Sequence, residues 1–250
     1  MNEIVSAATA IKTSGNVVAL TGAGISAESG IDTFRGRDGL WTKYNIEEYA
    51  TIDAFRQDPA KAWSLFEEMD RVIMAAEPNA GHRALAELEA MGLLQVVVTQ
   101  NVDSLHQRAG NTHVLEFHGN GRHLICPNCS RKYPSAEKCK EEMPPHCGCG
   151  TILKPNFVLF GEGIPSEVLA ESFLAMENSS CMLVTGTSAM VYPAAQLPFT
   201  AKERGATIIE VNTEATELTN FITDIFLEGK AATVLPQLVE EIKKNRNQSE

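Results

Sequence analysis

Four of the six cysteines fall into two close pairs, Cys126-Pro-Asn-Cys129 and, after seventeen intervening residues, Cys147-Gly-Cys149. Four thiolates grouped this way suit a closed tetrahedral Zn2+ site, which leaves no position for a substrate, so the metal would be structural. The second pair is one residue short of the usual spacing, and His146 or Cys139 stands as an alternative to Cys147 for the fourth ligand. A second kind of chemistry is suggested by Gly22-Ala23-Gly24, a turn through which backbone N–H groups can approach a pyrophosphate. The full glycine fingerprint is incomplete, because position 27 is Ala and the next glycine is Gly30. Just beyond, Phe34 can cover a flat ring and Arg35 can pair with phosphate, or both belong to an ordinary surface loop. Gln100, Asn101 and Asp103, around Val102, bring amides and a carboxylate together, fit for ribose hydroxyls and a carboxamide, or for a helix cap before Ser104. His118 is the histidine chosen as a general base, since its ordinary pKa lies near neutrality. Gly186-Thr187-Ser188 and Asn212 suit a ribose or an adenine, or are simple turns. Val158, Phe160 and Gly161, in the apolar run Lys154–Glu162, read either as a core strand or as an extended stretch that pairs with a peptide.

These residues need a frame that brings them together. Val17–Leu20, Leu94–Thr99, Met182–Thr185 and Thr207–Val211 are short apolar runs that read as buried strands. Helical periodicity covers Asn2–Thr13, Asn79–Met91, Ser166–Glu177 and Ala194–Arg204. Strands alternating with helices predict an α/β fold with a parallel sheet, helices on both faces, and ligands at the carboxyl ends of the strands. The glycine turn, the Gln100–Asp103 stretch, Gly186–Ser188 and Asn212 all follow such ends. From about Arg122 to Leu153 the chain turns to Cys, Pro, Lys and Glu, which reads as a small inserted zinc-binding module.

At 250 residues with 44% hydrophobic and 21% charged residues, the composition is that of a globular domain. A net charge of −11 offers no basic footprint for nucleic acid or anionic membranes, and weakly favours basic peptides. Neither a secretory signal nor a run of about 18 apolar residues is found, so a reducing, cytoplasmic location is expected, where cysteine clusters bind metal.

In order, the chain carries GAGIS-x-x-SGI-x-x-FRG, TQNVD-x-LH, FHG, two Cys pairs, KP-x-x-V-x-FGE, GTS and VN. This ordered set resembles the sirtuin family over roughly Asn16 to Lys230. The resemblance implies NAD-dependent removal of acyl groups from lysine side chains of acylated proteins or peptides. The products would be nicotinamide and O-acyl-ADP-ribose, with NAD as co-substrate and one structural Zn2+. It also implies a large Rossmann-like domain (about 1–35, 80–118 and 155–250) and a small domain (about 36–79 with the zinc module 119–154), NAD lying between them. Carried onto this chain, Gly22, Ala23, Gly24 and Ala27 would face NAD, with Phe34 and Arg35 beside the nicotinamide ribose. Gln100, Asn101, Val102 and Asp103 would form the nicotinamide and ribose pocket, Asn101 and Asp103 with catalytic roles. His118 would be the base, and Gly186, Thr187, Ser188 and Asn212 would hold the adenosine half. Val158, Phe160 and Gly161 would line the acyl-lysine tunnel and pair with the peptide backbone, while Cys126, Cys129, Cys147 and Cys149 hold zinc. A mono-ADP-ribosyl transferase on the same scaffold is the alternative. Two departures bear on the acyl group: Asp32-Thr33 replaces Pro-Asp, a threonine that also occurs in relatives removing acidic acyl groups such as succinyl, whereas Phe66 and Met69 stand where those relatives carry a Tyr-x-x-Arg pair, with Arg71 as the alternative cation. Acetyl or longer apolar acyl groups are therefore expected over succinyl, whose carboxylate would be buried unpaired.

Overall fold

The computed structural model describes residues 3–31 and 44–246, with no account of the side chains beyond 244. Phe34, Arg35 and the Asp32-Thr33 departure lie outside the described residues. Nine strands are described: β1 (Val17–Thr21), β2 (Leu94–Thr99), β3 (Val114–Glu116), β4 (Gly119–Ile125), β5 (Lys132–Pro134), β6 (Lys154–Phe157), β7 (Cys181–Thr185), β8 (Thr207–Asn212) and β9 (Ile225–Glu228). The chain divides into two compact units: Met1–Gly30, Glu77–Phe117 and Pro165–Glu250 form the first, Ile31–Ala76 and His118–Ile164 the second.

Unit 1 is built on a six-stranded sheet in the order β3-β2-β1-β7-β8-β9. Every neighbouring pair is parallel. Strands of such a sheet have no solvent face, and β1 and β7 are buried at every residue. Alternate side chains divide between two layers. Val17, Ala19, Cys181, Leu183, Ile209 and Val211 join a core with the helices Glu3–Thr13, Ala80–Ala90 and Ala231–Arg246. Val18, Leu20, Met182, Val184 and Ile208 point the other way and are equally buried. That face is covered by Gln196–Glu203, which packs on β7, β8 and the helix Ser166–Glu177. The expected strands and helices of this unit therefore form at nearly the expected positions. The order of the sheet reverses between β1 and β7, and such a reversal opens a crevice at the carboxyl ends of the two strands.

Unit 2 has a three-stranded antiparallel sheet, β5-β4-β6. Its core joins Phe55, Trp63, Leu65 and Phe66 from the helices Ile52–Gln57 and Pro59–Ala75 to Leu124, Leu153 and the sulfur-bearing Cys126 and Cys147. Trp63 fills the centre and donates its indole N–H to the Leu153 carbonyl at 2.8 Å, which satisfies the one polar group it buries. The segment after the second cysteine pair, as far as Ile164, groups with this unit. No helix among the described residues is long and apolar enough to cross a membrane.

Candidate functional site

The turn after β1 and the turn after β7 meet backbone to backbone. Gly22 N–H donates to the Thr185 carbonyl (3.1 Å) and Gly24 N–H to that of Gly186 (2.8 Å). A Cβ on Gly24 would sit 2.7 Å from the Gly186 Cα, and one on Gly186, where φ is +61°, would sit 2.4 Å from the Ile25 nitrogen. Glycine at both positions is thus dictated by close approach. In place of a long helix, two single 3-10 turns follow, Ala23–Ile25 and Ala27–Ser29. Ala27, where the fingerprint would have its third glycine, begins the second of these turns.

Behind this turn lies a buried polar network. Ser26 donates to Asp103 Oδ2 at 2.7 Å, and Asn101 Nδ2 donates to Ser26 Oγ and to the Gly22 carbonyl, each at 3.1 Å. Asp103 Oδ1 takes the Leu105 N–H at 2.9 Å, so the helix-cap reading of this carboxylate also holds. Asn79 opens its helix with a capping box: its side chain accepts from Gly81 and His82, and its own N–H goes to His82 Nδ1. With Nδ1 an acceptor, His82 carries its proton on Nε2, which lies 3.4 Å from Ser26 Oγ. His106 meets His82 edge-on with centroids 4.9 Å apart, and its Nε2 is 2.9 Å from Thr21 Oγ1. Burial pulls the pKa of His82 down to about 4 and that of His106 down to about 3. Burial raises that of Asp103, against the bonds from Leu105 and Ser26. Ser26, Asn79, His82 and His106 were not among the sequence candidates. The available signals were the serine inside GAGIS and the spacing Asn79-x-x-His82, which marks a capped helix start.

The ends of three strands converge on Thr187. Gln100 Nε2 donates to its hydroxyl at 2.9 Å, and Asn212 Nδ2 donates to its carbonyl at 3.0 Å. Ser188 is exposed and Val102 half-buried beside them. Glu210, wholly buried two residues before Asn212 on β8, accepts the hydroxyls of Thr216, Thr219 and Thr223 and so fastens the loop after Asn212. Unit 1 therefore brings together Gly22, Ala23, Gly24, Ala27, Gln100, Asn101, Val102, Asp103, Gly186, Thr187, Ser188 and Asn212 at the strand ends.

In unit 2, His118 is half-buried at the start of β4, and its carbonyl accepts the Val158 N–H at 2.8 Å. Gly119 has φ +74°, and a Cβ there would fall 2.3 Å from the Asn156 carbonyl, so the residue after the histidine has to be glycine. Phe160 donates its N–H to Ala50 and accepts that of Ile52, while its side chain is 37% exposed. The N–H groups of Val158 and Phe160 are therefore spent within the chain. Any pairing of this segment with a peptide would use other backbone groups.

The sulfurs of Cys126, Cys129, Cys147 and Cys149 all lie within 4.8 Å of one another. Sγ of Cys126 is 3.6 Å from that of Cys149, and Sγ of Cys129 is 3.6 Å from that of Cys147. Four Zn–S bonds in a tetrahedron require S–S edges of about 3.8 Å, so the donor set fits zinc. The short Cys-x-Cys spacing is absorbed by a tight turn: Cys147 N–H bonds the Thr151 carbonyl, Gly150 N–H bonds that of Cys147, and Gly150 adopts φ +86°. The fourth ligand position thus falls to Cys147. Cys139 packs on the unit 2 core, and His146 faces Glu142 at 3.2 Å.

The family model described as "Sir2 family" matches residues 22–193. An "NAD-dependent protein deacylase" of Thermococcus kodakarensis is 48% identical over 233 residues, 90% of each chain. Among solved structures, a Sir2 homologue–NAD complex superposes with TM-score 0.90 at 44% identity, covering 96% of this chain and 94% of the other. Sir2Af2 bound to a myristoylated histone peptide matches with TM-score 0.84 at 40% identity, covering 99% of each. Motif order, a parallel sheet reversing at the glycine turn, and a four-cysteine cluster agree with these likenesses: the chain belongs to the Sir2 family.

Proposed function

We infer that this protein is an NAD-dependent protein-lysine deacylase. The carrying observation is the convergence of the Gly22–Gly24 turn, Gln100, Asn101, Asp103, Thr187 and Asn212 at the switch point of the unit 1 sheet. Unit 1 is assigned to NAD and unit 2 to the acylated lysine. Zinc, held by Cys126, Cys129, Cys147 and Cys149, maintains unit 2 and takes no part in the reaction. NAD supplies the ribose carbon from which nicotinamide departs.

The roles of the chain's residues follow from their chemistry. The backbone of Gly22–Gly24 with Ala27 cradles the diphosphate, and Gly186, Thr187, Ser188 and Asn212 hold the adenosine half. Gln100, Asn101, Val102 and Asp103 orient the carboxamide and ribose; Asn101 and Asp103 are held there by Ser26. With NAD bound, the acyl oxygen would replace nicotinamide at the ribose carbon; His118 would take a proton from a ribose hydroxyl so that it adds to the acyl carbon, and with one water the carbon–nitrogen bond would break to release free lysine and O-acyl-ADP-ribose. Val158, Phe160 and Gly161 line the path of the acyl-lysine, where holding the reactants together supplies much of the rate. Acetyl and apolar acyl groups are preferred over succinyl. Phe66 is 3% exposed and packs on Phe55, Trp63 and Phe157, and Met69 packs against the same cluster, so these two positions offer no hydroxyl or cation to a carboxylate. A cytoplasmic location suits a chain whose thiols must stay reduced to bind metal.

The test is a panel of acetyl-, myristoyl- and succinyl-lysine peptides, with and without NAD, following nicotinamide and free lysine together. We expect one nicotinamide per lysine released, weak turnover of succinyl, and a loss of about a hundredfold to ten-thousandfold in kcat for His118→Ala. Nicotinamide release without lysine deacylation would favour ADP-ribosyl transfer instead. Equal rates on succinyl and acetyl would remove the acyl preference alone.

A further inference from the structure

The segment from Lys154 to Glu162 closes on itself through an ion pair. Lys154 is 6% exposed, and its ammonium donates to the carbonyls of Pro155 (3.0 Å) and Phe157 (2.6 Å) and meets Glu162 Oε2 at 3.0 Å. Its three protons thus find three acceptors, the condition under which a buried ammonium is tolerated. Burial lowers the lysine's pKa, and Glu162 opposes that shift. The same Glu162 oxygen accepts the Leu159 N–H at 2.8 Å. Between the two ends, Val158 is tied to the His118 carbonyl, and Phe160 is tied on one side to Ala50 and on the other to Ile52. A buried ion pair contributes little net stability compared with apolar packing of the same volume. Its distinctive effect is to admit one geometry and penalise others.

We propose that Lys154 and Glu162 are a positioning pair for deacylation. Their clasp sets the shape of Val158–Gly161 and, through the Val158–His118 bond, fixes the base relative to the segment that holds the acyl-lysine. Both act through the backbone they hold, since the bonds of Lys154 and Glu162 run to this segment and to each other. The inference rests on the roles assigned above to His118 and to Val158, Phe160 and Gly161.

Glu162→Gln keeps an oxygen for the Leu159 N–H but removes the charge; Lys154→Met removes the ammonium; Lys154→Arg restores a cation. Two measurements are made on the full zinc-loaded chain: amide hydrogen exchange at Val158, Leu159 and Phe160, and steady-state kinetics with an acetyl-lysine peptide. In Glu162→Gln and Lys154→Met we expect faster exchange at these three amides. We expect kcat/KM for the peptide to fall about tenfold to a hundredfold, with KM for NAD and zinc content unchanged and Lys154→Arg close to wild type. Should Lys154→Met fail to fold, Glu162→Gln decides. Unchanged exchange overturns the clasp. So does a loss in which peptide and NAD parameters decline together with the melting temperature, since that marks general destabilisation. A wild-type chain that deacylates nothing sinks the functional assignment instead, and the exchange data still report on the clasp.

Discussion

The hydroxyl of Ser26 donates a hydrogen bond to Asp103 and lies within bonding distance of Asn101 and His82, so one serine orients two of the residues on which the proposed function relies. The histidine behind it is useful only while neutral. Burial holds the pKa of His82 to about 4, with Arg83 adding to the effect, and burial together with His82 holds that of His106 to about 3. Unfolded, each would titrate at 6.5. Between these values the unfolded chain binds protons that the folded chain refuses. The stability the two histidines contribute is therefore fully present above pH 6.5 and is lost as pH falls toward 4, at up to about 1.4 kcal/mol per pH unit for each. Asp103, its pKa raised by burial, acts in the opposite sense. Denaturant titrations between about pH 5 and 6.5 should show a shallower fall in stability in His106→Gln than in the wild-type chain. Equal slopes would refute the assignment. This network was not legible in the sequence. Ser26 lies 77 residues from Asp103 and 56 from His82, and a lone serine or histidine gives no sign of what will surround it.

Strands and helices were more legible than their connections. Short apolar runs can only be buried strands when helices flank them on both sides, and β1, β2, β7 and β8 form within a residue of where periodicity puts them. The strand β9 and the helix Ala231–Arg246 carried weaker signals: four residues without alternation, and a helix with Pro236 inside it. The incomplete glycine fingerprint also misleads when read alone, because the second glycine serves contact with the turn after β7 rather than entry into a helix. Gly186→Ala tests that contact. The added methyl and the unfavourable φ should cost about 1–3 kcal/mol in denaturant unfolding, and KM for NAD should rise more than KM for peptide. An alanine variant with wild-type stability and NAD affinity would show that the two turns can separate without penalty.

At the scale of the whole chain, the two units have cores of different kinds. Unit 1 buries a parallel sheet under helices, whereas unit 2 includes two of its metal ligands, Cys126 and Cys147, among its buried apolar residues. Removing zinc therefore removes part of a core. Anaerobic chelation should lower the melting temperature and abolish deacylation, and added zinc should restore both; unchanged folding after verified metal loss would contradict the structural role. The remaining two ligands, Cys129 and Cys149, are exposed. Each lies 3.6 Å from a buried sulfur of the other pair, so the short distances run from one pair to the other. In air the stripped module then faces a different fate. Oxidation would couple an outer sulfur to an inner one and stitch the two halves together around an empty centre. Reductant, rather than metal, would become the limiting reagent for reassembly.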